Sequence, residues 1–90
     1  MKKDFEVLMG KNITVWCGIY IYHGKLVDIS DHVIYLEDPA VIYETGSFEE
    51  KHWRDAQPLN VKVWSVTFQS IESYGIMDKE IDKEEDEEDE

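Results

Sequence analysis

Residues 10–29 of the chain read GKNITVWCGIYIYHGKLVDI, and this stretch decides the fold class. Ile13, Val15 and Cys17 recur at period two, which indicates an extended strand. The stretch continues in β-branched and aromatic residues, which favour a second strand. Gly24 interrupts that second run, and a glycine inside a strand often marks a bulge or a sharp bend. The stretch therefore predicts two strands, the second of them bent.

Three further extended segments follow along the chain. Residues 32–44 form one run with a kink at Pro39, because proline cannot donate a ladder hydrogen bond. Residues 61–68 and 71–76 are also rich in β-branched and aromatic residues. The sequence therefore predicts a mainly β domain with five strands.

Two short helical segments are predicted outside these strands. Asp4 is placed to cap a short helix that Gly10 ends, before the first strand. The polar stretch of residues 46–60 predicts a connection, with one helical turn within residues 49–55. The fold class is thus a short helix followed by five strands.

Several predicted strands carry apolar residues on both faces. Within residues 61–68, one face carries Val61 and Val63, and the other carries Trp64, Val66 and Phe68. An antiparallel sheet with one wet face would alternate more cleanly. The pattern predicts either a strongly bent small barrel or a sheet face buried by another subunit. A core this small also favours oligomerisation.

Charge is concentrated at the C-terminal end of the sequence. The chain has 90 residues and a net charge of −12, and residues 78–90 hold ten acidic and two basic residues. Such a run repels itself and has little apolar surface to bury, so it predicts a disordered acidic tail behind one domain of residues 1–77. The composition excludes a strongly basic nucleic-acid-binding face and argues against an anionic membrane surface as a partner.

The sequence also bears on location and chemistry. Its longest apolar stretch, residues 15–22, is far shorter than the roughly 20 residues of a membrane span. A single cysteine, Cys17, cannot form an internal disulfide, which favours a reducing, cytoplasmic location.

His23, His32 and His52 match no zinc-ligand spacing, and no phosphate-binding glycine loop is present. We therefore expect no enzyme activity, no metal and no cofactor.

Three short motifs resemble the Sm and Sm-like (LSm) protein family. They are residues 10–15 (GKNITV), 23–26 (HGKL) and 33–40 (VIYLEDPA). The family places a Gly-Lys pair before its first strand and a glycine at the bend of its second strand. Its third strand often ends in Leu-Glu-Asp-Ala, and residues 33–40 carry one extra residue there. The resemblance covers about residues 3–76, and the divergence is compatible with a phage or prokaryotic origin.

The resemblance implies an SH3-like barrel that assembles as a homo-oligomeric ring of five to eight subunits. In the family, the fourth strand of one subunit pairs with the fifth strand of its neighbour. Here those strands would be residues 61–69 and 70–76. Such pairing removes exposed sheet edges and fits the apolarity of both strand faces. The resemblance also implies binding of single-stranded RNA, often rich in uridine or adenine.

Two loops carry the RNA site in the family, and this chain departs from both. The first loop usually supplies an aspartate and an asparagine, and the second an Arg-Gly pair or a Lys-His set. The equivalent positions here are Ser30, Asp31, His32, Gln69 and Ser70. These side chains can hydrogen-bond a base. Because the loops hold no lysine or arginine, we expect phosphate binding there to be weak.

Residues 51–54 (KHWR) form the one cluster that combines basic and aromatic residues. Lys51, Trp53 and Arg54 are therefore candidates for a peripheral contact, with Trp53 as an exposed anchor. The alternative is a loop whose side chains pack back onto the barrel. The other aromatic residues carry a similar choice between base stacking and packing in the core or between subunits.

Three functions are compatible with these observations. The first is a ring that binds single-stranded RNA. The second is a structural or protein-adaptor ring that has lost the RNA site, which the missing loop cations and the overall acidity favour. The third is a monomeric SH3-like module that binds peptides, which requires an exposed aromatic groove.

Overall fold

The computed structural model describes residues 2–77 and 79–81, which form one short helix, six strands and one 3-10 turn. The helix α1 spans Lys2–Glu6, and the strands are β1 Asn12–Cys17, β2 Tyr20–Ile29, β3 Val33–Glu44, β4 Asp55–Pro58, β5 Val63–Thr67 and β6 Ser73–Gly75, with the 3-10 turn at Phe68–Ser70. A mainly β fold behind a short helix is therefore confirmed. The structure has one strand more than the sequence predicts.

All six strands belong to one antiparallel sheet with the order β4-β3-β2-β1-β6, in which β5 also pairs with β3. β3 is long enough to hold two partners on one edge. Its first half pairs with β5 from Val33 to Glu37, and its second half pairs with β4 from Ala40 to Glu44. Within the described residues no pairing joins β6 to β4 or β5, so the sheet is not closed on itself.

β4 corrects the prediction that residues 46–60 form only a polar connection. Residues 49–55 hold a turn, bends and the first residue of β4 in place of the predicted helical turn. The polar composition of this region is typical of a connection, yet Asp55–Pro58 forms a strand on the second half of β3. Without β4 that edge of β3 would leave backbone groups unpaired. Pro58 is tolerated because β4 is an edge strand, where one side needs no hydrogen-bond donor.

The predicted bend at Gly24 and kink at Pro39 are parts of one β-bulge. Gly24 of β2 faces two residues of β3, Asp38 and Pro39, so the extra residue of β3 is absorbed there. Asp38 has a φ of 52°. A Cβ atom on Gly24 would lie only 3.0 Å from the Cβ atom of Leu36. The bulge therefore depends on the absence of a side chain at Gly24.

α1 packs its single buried residue against the sheet and the 3-10 turn. The Phe5 ring lies 4.3 Å from the ring of Tyr74 and 5.7 Å from the ring of Phe68, between ring centroids. Gly10 has a φ of 83°, and its N–H donates to β2 at 2.8 Å. Gly10 thus turns the chain from the helical segment into β1. Asp4 lies inside the first helical turn and not at the predicted cap position.

One face of the sheet, the first face, carries the main core. Its buried members are all apolar, and they come from the helix, from four strands and from the segment before β6. They are Phe5, Ile13, Val15, Leu26, Ile34, Leu36, Val66 and Ile71. Because this cluster joins distant parts of the chain, it explains why the short helix and the sheet form a single unit.

The opposite face of the same strands, the second face, is also buried but is partly polar. By strand register and alternation it includes Thr14, His23, Ala40 and Ile42. Residues 45–54, the covering loop, lie over this face. The loop inserts Trp53, which is 3% exposed, with its ring centroid 5.9 Å from that of His23. The covering loop thus buries the second face of the sheet, whereas Val61 and Val63, in the apolar segment of residues 61–68, stay 44% and 49% exposed.

Residues 79–81, the strap, pair with the covering loop. The Glu80 N–H donates to the Lys51 carbonyl at 2.7 Å, and the Trp53 N–H donates to the Glu80 carbonyl at 3.1 Å. The predicted tail begins at residue 78, and two of its residues, Lys79 and Glu80, bond to the covering loop. The rest of the predicted tail, residues 78 and 82–90, lies outside the described residues.

Among the described residues, no helix has the length and apolar character needed to cross a membrane.

Candidate functional site

Two loops that are far apart in sequence meet at one end of the sheet. They are the turn of residues 30–32 between β2 and β3, and the 3-10 turn Phe68–Ser70 after β5. The Phe68 N–H donates to the His32 carbonyl at 2.9 Å, which fixes the two turns against each other. Between them lies a cavity of about 200 Å³ lined by Asp31, His32, Thr67, Phe68 and Gln69.

This arrangement brings together three of the predicted site residues, Asp31, His32 and Gln69, around one space. A carboxylate, an imidazole and a carboxamide provide acceptors and donors that can pair with the edge of a nucleobase. Phe68 adds an aromatic ring to the lining, and base–aromatic stacking is tolerant of sequence. The cavity therefore has the chemistry of a small site for an unpaired base.

The two predicted serines have local structural partners. The Ser30 hydroxyl accepts the N–H groups of His32 at 3.3 Å and Val33 at 3.2 Å, which holds the first turn. The Ser70 hydroxyl donates to the Thr67 carbonyl at 2.9 Å and closes the 3-10 turn. These contacts position the cavity side chains, so Ser30 and Ser70 are supporting residues of the site.

A cation reaches the cavity from outside the two loops. The Lys2 Nζ of α1 lies 3.2 Å from an Asp31 carboxylate oxygen. Both side chains are exposed, so the pair adds little to stability. It does place a positive charge beside the cavity, where the loop sequences alone predict none. The separation of 29 residues along the chain explains why motif reasoning missed Lys2.

The candidate contact at residues 51–54 is largely a packing element. Trp53 is buried against His23 and under the Lys79 ammonium, which lies 5.1 Å from its ring centroid. The interpretation of Trp53 as an exposed anchor is therefore wrong, and the packed-back alternative is right. The Arg54 guanidinium lies 3.7 Å from the Glu50 carboxylate. Lys51 is exposed and uses its carbonyl to hold the strap.

His23 is a buried polar residue whose role the sequence did not indicate. Its Nδ1 lies 2.8 Å from the Thr14 hydroxyl oxygen, and both residues are buried. Burial lowers the pKa of the His23 imidazole, because the protonated ring would lose its hydration. The ring also borders a second cavity, of about 980 Å³, together with Lys25, Asp38 and His52.

A row of aromatic side chains runs across β2 and β5. The Tyr20 and Tyr22 ring centroids are 6.1 Å apart, and those of Tyr22 and Trp64 are also 6.1 Å apart. Burial raises the pKa of Tyr22, whereas Tyr20 is 48% exposed. The row is thus packed at one end and open at the other.

Cys17 lies near this row with a thiol that has little reactive character. Burial raises its pKa, and the neighbouring Glu72 carboxylate acts in the same direction against a hydrogen bond with Ser70. A thiol with a raised pKa is a poor nucleophile near neutral pH. In residues 2–77 and 79–81, no group of three or more His, Cys, Asp or Glu side chains is arranged to hold a metal ion.

Comparison of the sequence with protein-family models and with curated proteins found no match in either case.

Proposed function

We propose that this chain is an Sm-like protein that forms a ring and binds single-stranded RNA at the cavity between the two turns. The observation that carries the proposal is the meeting of residues 30–32 with the turn Phe68–Ser70. These are the loops that the resemblance pairs in one RNA site. Their convergence supports the alignment of both loops with the family pattern.

The sheet topology supports the ring part of the proposal. β5 and β6 each use one edge, toward β3 and β1 respectively. Within the described residues the other edge of each strand has no backbone partner. Unpaired edges favour association with another strand. A head-to-tail contact from the β5 edge of one copy to the β6 edge of the next would repeat and close into a ring.

The charge around the cavity supports weak, salt-sensitive binding. Lys2 supplies one cation beside Asp31, and affinity for RNA depends strongly on the number of phosphates that are neutralised. A ring would repeat that cation once per subunit. The base would be recognised mainly by hydrogen bonds from His32 and Gln69 and by the Phe68 ring.

A second candidate function is the binding of a protein segment, which the open end of the aromatic row favours. Exposed tyrosine and tryptophan are common at protein interfaces, because one end of each side chain is apolar and the other is polar. The groove-forming residues would be Tyr20, Tyr22 and Trp64. This function becomes the preferred one if no RNA is bound.

The test is binding of short labelled RNAs to the full chain at low salt, followed by fluorescence anisotropy. Uridine-rich, adenine-rich and mixed oligonucleotides are compared, after light scattering has established the mass of the assembly. Gln69→Ala and His32→Ala should each weaken binding by about fivefold, the equivalent of one net hydrogen bond. Gln57→Ala is the matched control, because Gln57 is an exposed glutamine on β4, away from the cavity.

Three results would contradict the proposal. If the wild-type chain binds none of the RNAs at low salt, the RNA function is wrong and protein binding replaces it. If light scattering gives the 10.6 kDa mass of one chain at micromolar concentration, the ring is wrong. Equal losses in Gln69→Ala and Gln57→Ala would place the RNA elsewhere on the molecule.

A further inference from the structure

The Lys79 side chain fills a slot in the covering loop. Its Nζ donates to the Ser47 carbonyl at 2.8 Å and to the Glu50 carbonyl at 3.0 Å. The same ammonium lies over the Trp53 ring, 5.1 Å from the centroid. Lys79 is only 5% exposed, which is rare for a lysine. The slot therefore consists of two carbonyl acceptors and one indole face around a buried cation.

The main chain beside the slot is paired as well. The Glu80 N–H donates to Lys51, and the Trp53 N–H donates to Glu80, so the strap forms a short parallel bridge at His52. Extended peptides are often recognised in this way, with main-chain bonds for affinity and a side-chain pocket for specificity. Loop and strap together have the organisation of a peptide-binding site with its ligand in place.

We propose that residues 47–53, the lysine slot, form a recognition site for an extended protein segment that contains a lysine, and that the strap is its resident intramolecular ligand. An ammonium carries three donors and no acceptor, which matches two carbonyls and an electron-rich ring face. An apolar side chain of the same length would leave the Glu50 carbonyl without this donor, whereas the Ser47 carbonyl would keep only the Glu50 N–H at 3.0 Å. Such a loss inside a buried site is costly. The slot is therefore selective for lysine.

The strap competes with any segment that arrives from another molecule. A ligand on the same chain acts at an effective concentration in the millimolar range when the connection is short. The slot is open to a second molecule only when the strap is weakened or displaced. Because this proposal concerns the covering loop and not the cavity between the turns, it is independent of RNA binding.

The test uses the full chain with Lys79→Met and a fluorescent peptide of residues 76–81. A second peptide has methionine in place of the lysine. We expect the variant to bind the lysine peptide at least about tenfold more tightly than the methionine peptide, a difference that corresponds to about 1.4 kcal/mol. The wild-type chain should bind the lysine peptide at least about tenfold more weakly than the variant does, because its own strap competes.

Lys62→Met is the matched control, because Lys62 is an exposed lysine between β4 and β5. It should behave as the wild-type chain. Glu80→Pro is a second variant that leaves the lysine intact and removes the N–H that donates to Lys51. It should also open the slot to the lysine peptide, and circular dichroism checks that each variant is folded.

Equal affinity of the two peptides for the folded variants would overturn lysine selectivity. Equal affinity of the lysine peptide for the wild-type chain and the variants would overturn the role of the strap as a competing ligand. Absence of binding to both folded variants would show that the strap contacts are purely structural and would also overturn the proposal.

Discussion

The two faces of the sheet are buried by different means. The first face packs against α1 through Phe5, and its buried cluster is entirely apolar. The second face is covered by a loop and a strap, and it contains the Thr14–His23 pair and the buried ammonium of Lys79. The Trp53 indole N–H, which is also buried there, has no acceptor among the described residues.

This difference teaches where the fold is strong and where it can open. Apolar burial is non-directional, so the first face stays stable as long as its side chains remain packed. The second face depends on hydrogen bonds, a cation over a ring and a neutral imidazole, and each of these requires a specific geometry or protonation state. Local opening is expected where backbone contacts are few. The covering loop and the strap are therefore the parts that open first.

The largest expected effect is the loss of stability at Ile34, compared with the loss at Ile42 on the opposite face of β3. Ile34 and Ile42 are both buried in this strand, the first within the main core and the second on the second face. Ile34→Ala should lower the free energy of unfolding by about 4 kcal/mol, because the flanking strands cannot collapse into the cavity. Ile42→Ala should lower it by about 2 kcal/mol, because the covering loop can move inward.

Urea denaturation of the two variants measures this difference. Val63→Ala is the control, because Val63 is 49% exposed on β5, and its loss should change the free energy of unfolding by less than about 0.5 kcal/mol. Equal losses for Ile34→Ala and Ile42→Ala would show that both faces are equally rigid, and the comparison between them would fail.

A smaller loss of stability is expected at the bulge, where Gly24 of β2 faces two residues of β3. In Gly24→Ala the new Cβ atom meets the Leu36 Cβ at 3.0 Å and the Glu37 carbonyl at 3.1 Å. Neighbouring atoms must shift to make room for the methyl group, so the variant should lose about 2 kcal/mol of its free energy of unfolding. Gly75→Ala is the matched control, because its new methyl group would meet no atom of a non-adjacent residue within 4 Å. A melting temperature that is the same in both variants would contradict the crowding at Gly24.

Most of the strands could be predicted because their signals are local. The alternation in β1, the bend at Gly24 and the kink at Pro39 are properties of neighbouring residues, and the structure contains all three. β4 could not be predicted from its polar sequence. It is a strand only because the second half of β3 offers an unpaired edge, which is a property of the assembled sheet.

Only part of the candidate site can be predicted from the sequence, because only some of its residues belong to local motifs. The family pattern places Asp31, His32 and Gln69 in two loops, and the structure brings these loops together. The contribution of Lys2 and the burial of Trp53 depend on contacts between distant parts of the chain. The bond from Lys79 to Ser47, for example, joins residues that are 32 positions apart. No local pattern in one sequence carries such information.

The smallest expected effect is a loss of stability in mild acid that originates at His23. Burial lowers the pKa of the folded-state imidazole, so the unfolded chain binds a proton more readily than the folded chain. The contribution of His23 to stability is therefore complete above its unfolded pKa of about 6.5 and decreases as the pH falls toward the folded pKa. The His23 ring contacts Thr14 and Trp53, neither of which is an anion, and burial is the cause of its lowered pKa.

Between pH 7.5 and pH 5.5 this single proton can remove at most about 1.4 kcal/mol from the free energy of unfolding. Urea denaturation at the two pH values measures the loss, above the range in which most carboxylates titrate. His23→Gln should reduce it, because the variant lacks the buried imidazole. A loss that is identical in the wild-type chain and His23→Gln would mean that the second face does not respond to this proton. The two faces would then differ in polarity but not in their response to acid.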